Sequence, residues 1–60
     1  MITMRPHATR AAGGGYHAAI FRDGRLVKLP PRFASRAAAF EHARYLIMRA
    51  AHFLPILIQH

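Results

Sequence analysis

Residues 16–29 read YHAAIFRDGRLVKL, two apolar-rich runs separated by aspartate and glycine. This pattern is typical of a β-hairpin, because Asp23 and Gly24 both tolerate the positive φ angles of a two-residue turn. We therefore predict strands over residues 16–22 and 25–29. Pro30 and Pro31 are expected to end the second strand, since neither can donate a hydrogen bond to a neighbouring strand.

The predicted pairing divides the hairpin side chains between two faces, because successive residues of a strand point to opposite sides. Phe21 is expected opposite Leu26, and Ala18 opposite Leu29. One face is apolar enough to form a core, and the other is a mixed surface. The core face contains Tyr16, Ala18, Ile20, Val27 and Leu29, and the mixed face contains His17, Ala19, Phe21, Leu26 and Lys28.

An amphipathic helix is predicted over residues 35–53. Ser35 is a suitable N-cap, and the alanine-rich run after it consists of strong helix formers. At 3.6 residues per turn the apolar residues fall on one side, and the helix should end ahead of Pro55. The apolar side contains Ala39, Phe40, Ala43, Leu46, Ile47, Ala50, Phe53 and Leu54, and the other side contains Glu41, His42, Arg44, Tyr45, Arg49 and His52.

The two ends of the chain lead to different expectations. Residues 1–15 are predicted to be a flexible basic arm, because Arg5, Pro6, Arg10 and a run of three glycines offer little to bury. Residues 54–60 are largely apolar and are predicted to form a short C-terminal strand beside the hairpin. The alternative for this tail is a strand donated to a second copy of the chain.

These elements predict an α+β fold in which a hairpin packs on one amphipathic helix, with a short C-terminal strand (ββαβ), in a single domain over residues 16–60. Residues 16–48, with the Asp-Gly turn and the entry Phe33-Ala34-Ser35-Arg36 to an alanine-rich helix, resemble the arm-type DNA-binding domain of phage integrases. They also resemble small bacterial ββαβ domains of unknown function. The first resemblance implies a sheet that reads a DNA groove, although the third strand ahead of the helix in that domain is not predicted here.

Charge is the clearest functional signal in the composition. Nine Lys and Arg residues stand against two acids, for a formal net charge of +7, and eight of the nine bases are arginine. Arginine presents a planar fork of donors that fits phosphate and carboxylate groups. We expect a polyanionic partner, such as nucleic acid or an acidic protein surface, although a GC-rich genome would also enrich arginine and alanine.

The sequence contains few residues that could act in catalysis or bind a metal. The two acids, Asp23 and Glu41, are explained by a turn and a helix surface, and the single serine, Ser35, by its capping role. None of the five histidines forms an i,i+4 helical pair, and the chain has no cysteine for a disulfide or a zinc site. We therefore expect no enzyme activity, no metal, no cofactor and no small-molecule substrate.

Several basic side chains are predicted to contact an anionic partner. Arg22 and Arg25 flank the turn, and Arg36 lies where a helix N-terminus favours an anion. Tyr45 between two arginines supplies an aromatic ring that can stack on a base. The predicted contact residues are Arg22, Arg25, Lys28, Arg32, Arg36, Arg44, Tyr45 and Arg49, with help from Arg5 and Arg10 of the arm.

The sequence supports two candidate functions almost equally. The first is a nucleic-acid-binding module, and the second is a phage-type inhibitor or adaptor, similar to anti-CRISPR proteins, that docks on a larger protein or nucleoprotein machine. For the second, or for a homodimer, the expected contacts are Phe21, Leu26, Ile56, Leu57 and Ile58. A membrane partner ranks last because the core needs the apolar side of the helix. The N-terminus lacks the apolar stretch of a signal peptide, so we expect a soluble, cytoplasmic protein.

Overall fold

The computed structural model describes residues 2–58, which form four strands and one helix. Met1, Gln59 and His60 lie outside the described residues, and with them the last two positions of the predicted tail. The strands form one mixed sheet in the order β3-β2-β1-β4, and the helix packs on one face of it. This confirms the α+β prediction. The elements are β1 (Ile2–Arg10), β2 (Tyr16–Arg22), β3 (Arg25–Phe33), α1 (Arg36–Ala50) and β4 (Ile56–Ile58).

The predicted hairpin is present as β2 and β3. Asp23 has φ 48° and Gly24 φ 85°, and Phe21 lies opposite Leu26 as expected. The prediction that the prolines end the second strand is wrong, because β3 continues through Pro30 and Pro31 to Phe33. β3 is the edge of the sheet, where a missing N–H donor is tolerated.

A shift in pairing accompanies the prolines. His17 lies opposite Arg32, whereas Ala19 lies opposite Lys28, so the register changes between these two positions of β2. The expected pairing of Ala18 with Leu29 falls at this irregularity and is not found. Leu29 nevertheless packs against the core.

The flexible arm predicted over residues 1–15 is wrong. Residues 2–10 form β1, an interior strand that pairs antiparallel with β2 and parallel with β4. β1 is thus a third strand ahead of the helix, which the sequence interpretation did not include. At the start of β1, the Ile2 N–H donates to the Pro55 carbonyl oxygen on one side, and the Thr3 carbonyl oxygen accepts from the Asp23 N–H on the other. Met4 is buried. The folded unit therefore extends beyond the predicted residues 16–60.

The glycine run forms the loop between β1 and β2. Gly13, Gly14 and Gly15 all have positive φ, and the N–H of Ala11 donates to the carbonyl oxygen of Gly15 at 3.0 Å. A Cβ atom on Gly15 would lie 2.9 Å from the carbonyl oxygen of Phe33. The run is therefore an ordered turn that needs glycine for both conformation and space.

The helix begins as predicted and ends earlier. Ser35 caps it, since its Oγ accepts a hydrogen bond from the N–H of Ala38 at 3.1 Å. The helix ends at Ala50, and the turn after it leaves Phe53 83% exposed. The assignment of Phe53 and Leu54 to the buried side is wrong because both lie beyond the last helical turn that faces the sheet.

The core is small and built mainly of alanine. Ala18 of β2 and Ala39 and Ala43 of α1 are fully buried together, and small side chains let a helix approach a sheet closely. Ile47 is the only large side chain of the described residues that is fully buried. Val27, predicted to be in the core, is 48% exposed near the tip of the hairpin.

The predicted C-terminal strand is present as β4, but its neighbour is β1 and not the hairpin.

Candidate functional site

The sheet face opposite α1 carries three rows of side chains, which we call the open face. Residues paired across strands point to the same side, so each row crosses β1, β2 and β3. No helix of the described residues covers this side, and the charged members of the rows are exposed. The rows are Arg5–Phe21–Leu26, His7–Ala19–Lys28 and Thr9–His17–Arg32.

Phe21 is the aromatic centre of the open face. Its ring lies 5.9 Å from the His7 ring, centroid to centroid, and the two planes are tilted by 45°. The Arg5 guanidinium carbon lies 5.5 Å from the Phe21 centroid, within the range of a cation–π contact. An aromatic ring thus contacts a guanidinium and an imidazole on the side of the sheet opposite the helix.

The far end of the open face is basic. His17 Nδ1 donates to the carbonyl oxygen of Pro31 at 3.1 Å, which fixes the ring above β3. The Arg32 side chain reaches the glycine loop, where a Cβ atom built on Gly13 would lie 3.7 Å from Nη1. Thr9 Oγ1 is buried there without a hydrogen-bond partner among residues 2–58.

Neither acid of the chain is a member of the three rows of the open face. Asp23 pairs with Arg22 at 3.7 Å beside the turn, and Glu41 pairs with Arg44 at 3.3 Å on the helix. Within residues 2–58, the cations of the open face therefore have no carboxylate to neutralise them. Such a surface attracts anions.

The predicted anion-contact residues do not form one patch. Lys28 and Arg32 lie on the open face. Arg22 and Arg25 are paired beside the turn, and alternation along the strands directs them toward the helix side of the sheet. The other four lie on α1, and they are Arg36, Arg44, Tyr45 and Arg49.

The helix residues of this set already have intramolecular partners. Arg36 Nη1 donates to the carbonyl oxygen of Ala8 at 3.2 Å, and its guanidinium carbon lies 5.2 Å from the Tyr16 ring centroid. Arg49 Nη1 donates to Tyr45 Oη at 3.4 Å on the outer side of the helix. The helix therefore presents two separate basic positions, one beside β1 and one facing solvent.

His7 is a functional candidate that the site prediction left out, and Arg5 was included only as part of a mobile arm. Their strand was interpreted as an arm, so no face could be assigned to them. The signal was present, because residues 2–9 alternate apolar and polar residues without a break, as a half-buried strand does.

The predicted partner contacts are also separated by the fold. Phe21 and Leu26 are neighbours in one row of the open face. Leu57 is 46% exposed and lies opposite Thr3 on that same face, whereas Ile56 and Ile58 are half-buried on the helix side. Phe21, Leu26 and Leu57 thus share the surface that carries the cations.

Comparisons with known proteins give no assignment. No family model matches the chain, and no curated protein or solved structure is significantly similar to it. Within residues 2–58, no three His, Cys, Asp or Glu side chains come together as a metal site would require. The helix of this described part is too short and too polar to cross a bilayer.

Proposed function

We propose that the chain is a small non-catalytic module that binds single-stranded nucleic acid on the open face of its sheet. The observation that carries the proposal is Phe21, half-buried and in contact with Arg5 and His7, on an open face whose rows hold further cations and no carboxylate. Basic sheet faces with exposed aromatic rings suit unpaired bases, whose flat faces are free to stack. Bases in a duplex already stack on their neighbours.

Each part of the open face has a role in this proposal. A base stacks on Phe21, and Arg5 either stacks on that base or moves aside to a phosphate. Stacking of this kind is worth about 1–3 kcal/mol per base. Lys28 and Arg32, on the outer strand β3, neutralise phosphates along the backbone. Leu26 extends the apolar surface next to Phe21.

The basic groups outside the open face contribute at longer range. Arg22 and Arg25 lie at the hairpin tip on the other side of the sheet, and Arg22 is partly neutralised by Asp23. They raise the overall positive potential, which speeds association at low salt. Their replacement should therefore lower affinity less than an equal loss of charge on the open face.

Fluorescence anisotropy with a labelled single strand of about ten nucleotides tests the proposal. Replacing Lys28 and Arg32 by Gln removes two charges from the open face, and replacing Arg44 and Arg49 by Gln removes two from the helix surface. The first variant should bind at least tenfold more weakly and have a salt slope smaller by about 1.4, for two phosphates at about 0.7 each. The second variant should lose less than about threefold. Equal losses would mean that only net charge matters.

A protein-directed function is the second candidate, of the kind expected for a phage-type inhibitor. The exposed Phe53, at 83%, and the exposed Leu54 and Leu57 near it in sequence favour this candidate. Exposed aromatic and aliphatic side chains are typical anchors of protein interfaces. Tight, salt-tolerant capture of one defined protein that is lost in Phe53→Ala and kept in Phe21→Ala would favour this candidate over nucleic acid.

A further inference from the structure

The outer edge of β1 is only partly covered by β4. β4 pairs with Ile2, Thr3 and Met4, and in the described residues no strand pairs with that edge from Arg5 to Arg10. A cavity of about 330 Å³ opens there between β1 and the start of α1. We call it the edge cleft, and it is lined by Arg5, Pro6, His7, Ala8, Arg36 and Phe40.

Two arginines line the edge cleft, and one of them, Arg36, is held in place by two contacts. Arg36 lies against Tyr16 and is bonded to the Ala8 carbonyl, and Arg5 lies over Phe21. A guanidinium has five N–H donors, so the one bond of Arg36 to Ala8 leaves others for a ligand. Because Arg36 is positioned before binding, less of its side-chain freedom is lost when a ligand arrives.

The backbone of β1 adds a donor to the same cavity. Within a strand, the N–H and C=O of one residue point to the same side. The Ala8 carbonyl accepts from Arg36 and not from β2, so the Ala8 N–H also points to the free edge. Pro6 lacks an N–H and sits at this edge without losing a bond. The donors face a floor of Pro6, Ala8 and Phe40.

We propose that the edge cleft binds a phosphate group of the strand that the open face holds. The lining has two guanidinium groups, an imidazole and a backbone N–H, and within residues 2–58 it contains no carboxylate. Forked arginine donors suit the oxygens of a phosphate. The cavity is at the lower limit of ligand-pocket volumes, which fits one nucleotide unit. Arg5 and His7 belong to both surfaces, so a strand that stacks on Phe21 reaches the cleft by passing over β1.

This inference rests on the proposed function for the identity of its ligand, and it is tested separately with mononucleotides. Adenosine monophosphate and adenosine are titrated into the isotope-labelled wild-type protein, and the amide of Ala8 and the Nε–H of Arg36 are followed by NMR. The monophosphate should shift both signals saturably, and adenosine should not. Equal shifts with adenosine, or no shift at either position, would overturn the proposal that the edge cleft binds a phosphate group. This measurement needs no variant and so does not depend on a mutant folding.

Arg36→Lys and Arg49→Lys form a matched pair that keeps the net charge. Loss of the forked donors at Arg36 should weaken monophosphate binding about tenfold, whereas the change at Arg49 should have no effect. Equal affinities would overturn the role of Arg36. Phe21→Leu should weaken oligonucleotide binding and leave the NMR shifts caused by the monophosphate unchanged. The experiment therefore distinguishes an error in the proposed open-face binding from an error in the proposed phosphate site.

A pair of oligonucleotides identifies which phosphate the cleft takes. The single strand is prepared with a 5′-hydroxyl or a 5′-phosphate, and each form is measured against wild type and Arg36→Lys. An equal loss for both forms identifies an internal phosphodiester, and a loss confined to the phosphorylated form identifies a terminal phosphate. No loss for either form would overturn the assignment of the cleft to the bound strand.

Discussion

Gly15 has the least room for a side chain in the loop that joins β1 to β2. Its φ is +75°, and a Cβ atom there would lie 2.9 Å from the carbonyl oxygen of Phe33. Gly13 has a similar φ of +83°, but its nearest neighbour would be the Arg32 guanidinium at an ordinary 3.7 Å. Substituting alanine at each position therefore separates backbone conformation from the close contact.

The structure sets the size of the two effects. Left-handed φ costs an alanine about 1–2 kcal/mol, and its lower unfolded-state entropy returns about 0.4–1 kcal/mol. Gly13→Ala should thus destabilise by about 1 kcal/mol. At Gly15 the obstacle is backbone of β3 paired with Tyr16, so a further ~1–3 kcal/mol is expected, as for overpacking. At about 4–8 °C per kcal/mol for a domain of this size, Gly15→Ala should melt roughly 10–30 °C below wild type.

Thermal and urea unfolding followed by circular dichroism measure both variants against wild type. The expected order of stability is wild type, then Gly13→Ala, then Gly15→Ala. If the first fifteen residues were a flexible arm, both substitutions would be neutral or slightly stabilising. Equal destabilisation by the two variants would refute the contact between Gly15 and Phe33 while leaving the ordered loop.

The packing of the core, the helix cap and the charges at the hairpin turn each lead to a test. Ile47→Ala should lower the free energy of unfolding by about 2–5 kcal/mol, which approaches the whole stability expected for 60 residues. We therefore expect the variant to lose cooperative unfolding, and an unchanged melting temperature would contradict the assignment of Ile47 to the core. Ser35→Ala should cost about 1 kcal/mol in urea denaturation because the Ala38 N–H loses its acceptor, and Ser35→Asp should keep that acceptor. Replacing Arg22 and Arg25 by Gln should relieve like-charge repulsion across the turn, leaving stability equal or slightly higher, and should weaken single-strand binding less than the change at Lys28 and Arg32.

The hairpin and the helix start were predictable because short local signals specify them. Asp23-Gly24 fixes the turn through backbone conformation alone, and Ser35 satisfies a helical N–H within one turn of itself. Neither depends on distant parts of the chain. The continuation of β3 past Pro30 was not predictable in this way, since it depends on β3 being an edge strand.

β1 shows the opposite case, in which the pattern was present but a local feature outweighed it. Pro6 and the glycine run argue against a strand when read locally, although the surrounding residues alternate in polarity. Pro6 fits because its nitrogen points to the part of the β1 edge that β4 does not reach. That arrangement depends on the sheet order, which no local signal in β1 specifies.

The candidate site depended on this missed strand. Lys28 and Arg32 were identified from composition, but Arg5 and His7 join them only when β1 pairs beside β2. Phe21 was recognised as exposed and assigned to a protein partner, because its neighbours across the sheet were unknown. Tertiary pairing brings a guanidinium and an imidazole into contact with the Phe21 ring, which the sequence alone presents as an isolated apolar group.

The most direct test of binding on the open face compares the single-strand affinities of Phe21→Leu and Phe53→Leu. Both changes replace an aromatic ring by an aliphatic side chain and leave the charge at +7, but only Phe21 lies on the open face. We expect Phe21→Leu to bind a short single strand about 5- to 150-fold more weakly than wild type, for a loss of ~1–3 kcal/mol of stacking. Phe53→Leu should bind as wild type does. A duplex of the same sequence should bind to the wild-type protein more weakly than the single strand. Unchanged affinity in Phe21→Leu, with the fold intact by circular dichroism, would contradict the open face as the site of binding.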